Sequence, residues 1–562
     1  MEERQRELLL FQLGPVQEFI AQARSTRDLW SGSYMLSWLV AHAICAVVER
    51  GGLDEDDVQM PSLANNPLVT ALRDREVPLD LDKVLIPNLP NKALFAVPRG
   101  RAAELAAVAK KGIDDALAAM GESVWTFLSD SVGVRGDWKA RWDAQLKAFP
   151  QVTWARTDWD GSVDTWPAAY GRVNRNLAAR RNTRDFAQWA AKPDEGAFVK
   201  DALSGKEEII GDDRFWSGLQ RDRGQLFKTS GHRYGAMNLV KRLWIRVDGE
   251  EESLTTRFCA NALNFDRRDV RGKLRVRSLP DIAKGNLSPK NPYVAVLAFD
   301  GDKMGETVKA HGTTPTGLKQ VSQTLSTFAL EKVRGHVERH GGFLVYAGGD
   351  DVLALLPASR ALACAKAVRD AFRNAGTAAG YTLEGSCGIA VGHRQAPLQM
   401  LVREAQRMEH VAKEKYNRGA VAVALYKRSG EIIEWGTKWE EGRALELLEK
   451  TAELSQAECL SARFPYALAA LLRPYEFGNG RSVAPKTMRD IMRCEFEHVL
   501  GRQGSRLTGD GLAEFLPLVS AYLESVTNEE ASDGKPARKP HPDDFMNLFL
   551  VEAFLNRERG ED

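Results

Sequence analysis

The chain has 562 residues, 44% of them hydrophobic and 27% charged, with a formal net charge of +1. That length exceeds what one core organises, so three or four domains are expected, and so balanced a charge does not by itself announce a nucleic-acid binder. The sequence reads as having no apolar run of spanning length and no basic-apolar-small leader, so the expectation is a cytoplasmic protein with no membrane association.

In chain order, residues 1–160 open with an apolar strand, Leu8 to Leu13, and a helical stretch from Val16 to Val48, with Pro15 placed for a first helical turn. Further strands are expected around Leu94 to Val97 and Val152 to Ala155. Within the helical stretch, Arg24 to Ser33 reads as an amphipathic helix without evident chemistry. Residues 161–285 are the least regular part. Arg172, Arg175, Arg180, Arg181 and Arg184 crowd one segment, and Arg267, Arg268, Arg271, Lys273, Arg275 and Arg277 crowd another. Each cluster could track a phosphate backbone or form a solvated basic face.

Residues 286–430 carry the clearest chemistry. Tyr293 to Phe299 is a continuous apolar run of strand length that ends in Asp300-Gly301-Asp302-Lys303-Met304-Gly305. A helix follows, with Leu318, Val321, Leu325, Phe328, Val333 and Val337 at three- and four-residue steps. Phe343 to Tyr346 and Val352 to Leu356 then flank Ala347-Gly348-Gly349-Asp350-Asp351, the pattern of a tight hairpin. A helix (Ala358 to Asn374), a strand (Glu384 to Val391), a helix (Leu398 to Tyr416) and a strand (Ala420 to Tyr426) complete a ferredoxin-like β-α-β-β-α-β core with an added helix and strand. In that topology the first strand lies beside the hairpin, so Asp300 is expected to meet Asp350 and Asp351.

Adjacent carboxylates repel by about 4 kcal/mol at about 4 Å and an effective dielectric near 20, and a divalent cation would reverse the sign of that cost. Three convergent carboxylates suit hard, oxygen-liganded ions such as Mg²⁺, two of which would clamp an in-line phosphoryl displacement. The alternative is a solvated turn, which Gly-Gly-Asp-Asp also suits. Lys303, Met304 and Gly305 would open a helical turn whose N–H groups can receive phosphate. Lys413 and Arg418 could neutralise a triphosphate, or be solvated cations. Gly348 and Gly349 would let the backbone approach a nucleotide closely. Residues 431–562 read as helical, broken by a polar loop from Thr527 to Asp544.

The motif Asp-Gly-Asp-x-Met-Gly followed by a Gly-Gly-Asp-Asp hairpin resembles the palm of the large polymerase-like subunit of type III CRISPR effector complexes, and more distantly the diguanylate and adenylyl cyclases. Phe11 to Ile20, Ala23-Arg24 and Arg27 to Ser33 resemble the opening of that subunit in the Cmr-type (III-B) complexes. Leu89-Pro90-Asn91-Lys92 and Leu239-Val240-Lys241-Arg242-Leu243 resemble two further family segments.

The resemblance implies an α+β chain with two ferredoxin-like, palm or cyclase-type domains and helical middle and C-terminal domains. These are a non-catalytic palm (1–160), an irregular middle domain (161–285), the catalytic palm (286–430) and a helical domain (431–562). It implies Asp300, Asp350 and Asp351 as catalytic metal ligands with the Gly301 carbonyl as a further one, two Mg²⁺ or Mn²⁺ ions, and ATP as substrate. The helix bearing Arg27 and Ser33 would complete the nucleotide pocket. Guide RNA, target RNA and other Cmr-type subunits would be partners, and the activity would be polymerisation of ATP into an oligoadenylate messenger when target RNA is captured.

Departures from the family accompany this, one of them in Ala412 to Arg418, where Lys413 fits the cyclase-like Ala-Lys-x-x-Gly-Arg-Asn signature and Arg418 is displaced by one. The middle domain usually carries a cysteine zinc knuckle, but Lys228 to Asn238 has no cysteine, and Cys45, Cys259, Cys364, Cys387, Cys459 and Cys494 form no C-x-x-C pair, so no zinc is expected. Many members begin with a histidine-aspartate nuclease, whereas none of the nine histidines here precedes an aspartate. Two other readings remain: a free-standing nucleotide cyclase, and a catalytically silent scaffold.

Overall fold

A computed structural model describes residues 6–64, 66–74, 80–183, 199–224, 226–227, 231–244, 276–288, 290–477, 483–504, 506–507, 509–528, 530–532, 535–538 and 540–557. The chain forms two compact units. One comprises residues up to Arg277 together with Met304–Glu331 and Val345–Gly349, and the other comprises Ser278–Lys303, Lys332–Leu344 and the chain from Asp350 onward.

The first unit is built on a four-stranded sheet, β1 (Arg6–Gly14), β2 (Val58–Met60), β3 (Lys92–Pro98) and β4 (Gln151–Trp159), in the order β2-β3-β1-β4. The central β1 is antiparallel to β3, with Leu9 opposite Phe95, and to β4, with Leu10 opposite Ala155. Leu8, Leu9, Leu10, Phe11 and Leu13 are all buried, as a two-sided apolar run requires. Strands near 94–97 and 152–155 therefore form where the sequence places them.

The long helix expected from Val16 to Val48 is instead two, Gln17–Ala21 and Thr26–Gly51, and Pro15 stands before the first rather than in its opening turn. The break has two causes, one local and one from a distant segment. Ser25 caps the second helix, its hydroxyl accepting from Asp28 N at 3.2 Å while Asp28 accepts from Ser25 N at 3.1 Å. The buried Lys241 ammonium donates to the orphan carbonyls of Phe19 and, at 2.9 Å, Gln22. Beside it, Arg242 grips the Asp28 carboxylate through two bonds of 3.1 and 2.8 Å. Leu239 to Leu243 thus serves as a clamp on the amino-terminal motif.

Contrary to the expectation of no spanning-length segment, Thr26–Gly51 has the length and apolar composition of a membrane span, but 89% of its most apolar window is buried within the fold. Helix Pro315–Thr327 also belongs to this unit. Its Leu318 joins a cluster with Leu8, Leu10, Leu94 and Trp166, and Trp166 Nε1 donates to Gly312 O at 3.0 Å.

A second, six-stranded sheet contains β5 (Tyr293–Gly301), β6 (Phe343–Gly348), β7 (Asp351–Pro357), β8 (Gly385–His393), β9 (Ala420–Tyr426) and β10 (Ile432–Lys438), ordered β10-β9-β8-β5-β7-β6. The order β8-β5-β7-β6 is the ferredoxin-like arrangement. β9 adds parallel to β8, and β10, a strand the sequence reading did not anticipate, pairs antiparallel with β9. Helix Leu398–Glu414 lies hard against β8, because a Cβ at Gly388 would stand 2.1 Å from Ala405 O and 2.0 Å from Glu409 N. That contact fixes the helix face bearing Glu409 and Lys413.

Five helices follow, Ala444–Gln456, Phe464–Leu472, Pro485–Gln503, Asp510–Thr527 and Asp543–Arg557, around a core that includes Phe464, Phe496, Phe515, Phe545 and Phe549. The stretch expected as a polar loop from Thr527 contains two short strands, Glu530–Ser532 and Lys535–Arg538.

Candidate active site

The register of β5 against β7 runs from Val294 opposite Pro357 to Phe299 opposite Val352. One step further along both strands, Asp300 faces Asp351, and Gly301 N donates to Asp350 O at 3.2 Å. Two buried apolar strands therefore deliver three carboxylates to one sheet end. Asp350 is half-buried; burial, then the Asp300 charge, pushes its carboxyl up to about 6. Burial, followed by the charges of Asp300, Asp350 and Glu409, pushes the Asp351 carboxyl up to about 8. Asp351 is itself exposed, and the crowd of like charges around it favours the protonated form.

The positive charge at this cluster comes from Lys413, whose ammonium pairs with Asp300 and lies 2.6 Å from Glu409. Burial works against that ammonium, but Asp300 and Glu409 outweigh it and hold its pKa above the usual lysine value. Burial also raises the Glu409 carboxyl, with Lys413 opposing. Among the described residues, no three His, Cys, Asp or Glu side chains are drawn together as a metal centre. The donor set nonetheless suits a hard divalent ion, since it is all oxygen, crowded with negative charge and short of cations. Among the described residues, Cys45, Cys364, Cys387, Cys459 and Cys494 are free thiols. Cys259 and Lys228 to Ser230 lie outside the described residues.

Asp302, two residues beyond Asp300, takes a different course. It is buried, and its carboxylate accepts from Ser386 Oγ at 2.9 Å and from Gly419 N at 2.8 Å. Arg418 Nε lies 4.0 Å away. Burial raises the Asp302 carboxyl, and these donors oppose the rise. Lys303 adopts a left-handed conformation, φ 55°, leading into helix Met304–His311.

Met304, Gly305, Gly348 and Gly349 fall within the first unit. Gly349 turns the hairpin at φ 85°, and a Cβ at Gly348 would strike the Tyr346 ring, 1.7 Å from its hydroxyl. The glycine at 348 is thus already required by packing. Arg27 and Ser33 lie on helix Thr26–Gly51 of the same unit, where the buried Ser33 hydroxyl donates to Leu29 O at 3.1 Å. Of the basic clusters, Arg172, Arg175, Arg180 and Arg181 lie on helix Trp166–Asn182. Arg184, Arg267, Arg268, Arg271, Lys273 and Arg275 lie outside the described residues.

Sequence reasoning missed Glu409 and Asp302. The spacing of Glu409 four residues before Lys413 was the available signal for the first. For the second, only the Asp-Gly-Asp repeat pointed that way, and it does not reveal which carboxylate turns inward.

A ferredoxin-like sheet with carboxylates at the end of its first strand and in the following hairpin defines a palm domain of the polymerase and cyclase kind. Residues 293–422 match the family described as Cas10/Cmr2, second palm domain, and residues 8–124 match the CRISPR-associated protein Cmr2, N-terminal. The chain is similar to the CRISPR system Cmr subunit Cmr2 of Pyrococcus furiosus, 24% identical, with 77% of this chain covered; the chain spans 63% of that relative's length. Among solved structures, a type III-B Cmr-beta complex in the apo state contains a chain of similar fold, with TM-score 0.68, 12% identity, and coverage of 99% of this chain and 82% of that one. The same complex type bound to cognate target RNA gives 0.64 at 14% identity, covering 98% and 83%. A Csm1-Csm4 cassette in complex with pppApApA gives 0.51 at 13% identity, covering 99% and 70%.

Proposed function

We propose that this chain is the nucleotidyl-transferring subunit of an RNA-guided type III-B effector complex, and that capture of target RNA starts the joining of ATP into oligoadenylate. The observation that carries this reading is the coupling of the Asp300, Asp350 and Asp351 charges where β5 ends beside the hairpin, with Lys413 paired to Asp300. A scaffold that had lost catalysis would have no reason to keep that charge crowded, since it destabilises the fold. The 3′-hydroxyl of one ATP attacks the α-phosphorus of another, an ester bond forms, and pyrophosphate leaves.

Asp300, Asp350 and Asp351, with the Gly301 carbonyl, would hold two Mg²⁺ or Mn²⁺ ions, which supply charge stabilisation for the attacking and leaving oxygens. Lys413 and Arg418 bind the triphosphate and offset its charge, and the main chain at Lys303 orients it. The complex of pppApApA, a triphosphate-headed chain of joined adenylates, with a Csm1-Csm4 cassette of similar fold accords with such a product. Guide RNA, target RNA and the other Cmr-type subunits are the partners in this reading, as in the complex bound to cognate target RNA.

The test is to incubate the assembled complex with ATP, Mg²⁺ or Mn²⁺ and target RNA and to identify products by mass spectrometry. Oligoadenylates that appear only with target RNA are expected. Their absence at full RNA occupancy contradicts the proposal.

A further inference from the structure

Asp302 joins three segments that are far apart in sequence. Its main-chain N–H donates to Glu384 O at 2.8 Å, its carboxylate accepts from Ser386 Oγ at 2.9 Å at the start of β8, and Oδ2 accepts from Gly419 N at 2.8 Å. The residue is 7% exposed, so these bonds form out of water, where an unpaired carboxylate would be costly. The loop it grips is unusual. Asn417, Arg418 and Gly419 are all left-handed, with φ of 54°, 64° and 56°. Two consecutive residues with a Cβ rarely hold that conformation unless their surroundings over-determine it. The restraints include Asp302 on Gly419 N, the bond from Arg418 N to Ala412 O at 3.2 Å and the bond from Trp439 N to Gly419 O at 3.0 Å.

We propose that Asp302 is a positioning residue and not a metal ligand: it pins the left-handed Asn417–Gly419 loop so that Arg418 presents its guanidinium to the triphosphate of the incoming nucleotide. This rests on the nucleotidyl-transfer reading above. The carboxylate is committed to Ser386 and Gly419, whereas Arg418 Nε stays 4.0 Å off and the side chain is 44% exposed, within reach of an anion.

The test uses the assembled complex carrying Asp302→Asn, Ser386→Ala, Arg418→Ala and the Asp302→Asn/Arg418→Ala pair. Mn²⁺ affinity of Asp302→Asn, read by electron paramagnetic resonance, is expected within about twofold of the unmodified complex. KM for ATP should rise about tenfold while kcat stays within about threefold. The double variant should be no worse than Arg418→Ala, since both remove one contact. Ser386→Ala should fall between, and trypsin should cut after Arg418 several-fold faster in Asp302→Asn.

Three results overturn the proposal: a loss of Mn²⁺ affinity above about tenfold, which makes Asp302 a ligand; additive effects of Asp302→Asn and Arg418→Ala; or unchanged KM and cleavage. If the unmodified complex makes no product, the nucleotidyl-transfer reading fails separately. The proposal is then judged on equilibrium binding of Mg²⁺-ATP, and equal binding by Asp302→Asn and the unmodified complex contradicts it.

Discussion

Lys413 Nζ lies 2.6 Å from the carboxylate of Glu409, one helical turn back, while also pairing with Asp300 on β5. One cation is therefore shared between a metal-ligand candidate and a carboxylate that the sequence reading did not single out. Replacing Lys413 by Met removes this counter-charge. Mn²⁺ should then bind several-fold more tightly, because the carboxylates lose a competitor for the ion. Oligoadenylate synthesis should fall about tenfold to a hundredfold, because the triphosphate loses a charge-assisted donor. Mn²⁺ titration followed by electron paramagnetic resonance, with product assays on the same preparations, checks both directions.

The raised carboxyls of Asp350, about 6, and Asp351, about 8, set a pH dependence. The unfolded carboxyls titrate near 3.8, so between that value and the folded ones the native state binds more protons than the unfolded state. Linkage then gives a negative slope, and the metal-free protein should lose stability as pH rises from about 4 to about 8. Thermal melting across pH 5 to 8.5 should show the decline, and Mg²⁺ should raise the melting temperature more at pH 8 than at pH 6. An Asp351→Asn variant should flatten the upper part of the curve.

The buried Asp28–Arg242 pair, 2% and 5% exposed, holds the Leu239 to Leu243 clamp against helix Thr26–Gly51. Asp28→Asn leaves an uncompensated buried guanidinium and should cost about 3 kcal/mol or more in denaturant unfolding. Replacing both residues by apolar ones of similar size should cost less than the single change. Equal costs would mean that the pair's charge is not what holds the clamp.

The palm core was legible because β5, β7, β8 and β9 are two-sided buried strands and so read as continuous apolar runs. β10 was not legible, since Glu434 and Gly436 interrupt it and its anchor is Trp435, whose indole N–H donates to the Tyr522 hydroxyl at 2.7 Å in a helix of the carboxyl-terminal region. The break at Gln22 escaped notice for a related reason: the lysine that satisfies its carbonyls lies 219 positions away. Ser25-Thr26-Arg27-Asp28 did carry a local capping signal. Asp300, Asp350 and Asp351 could be placed together from topology, whereas Glu409 and Asp302 acquire their roles from partners on other elements.

Tyr416 donates to the buried Asp544 at 2.7 Å and so ties the end of the Lys413 helix to helix Asp543–Arg557. Burial raises the Asp544 carboxyl, with Lys415 and Tyr416 opposing. Tyr416→Phe leaves that carboxylate short of a donor and should cost about 1 to 3 kcal/mol. Calorimetric unfolding of the variant, compared with Lys415→Met, measures how much of the anchor each donor provides.

Asp350→Asn tests the central claim most directly. The substitution removes one charge at nearly constant volume, and because the native site already favours a neutral group there, the fold should be retained or slightly stabilised. Nucleotide synthesis should fall at least about a hundredfold if Asp350 helps to hold the ions that stabilise the transferring phosphoryl group. The measurement is oligoadenylate formation by the assembled complex at matched occupancy of guide and target RNA. Near-complete loss of product with RNA binding intact is the predicted result; product within a few-fold of the unmodified complex would contradict the account and leave the hairpin an ordinary acidic turn.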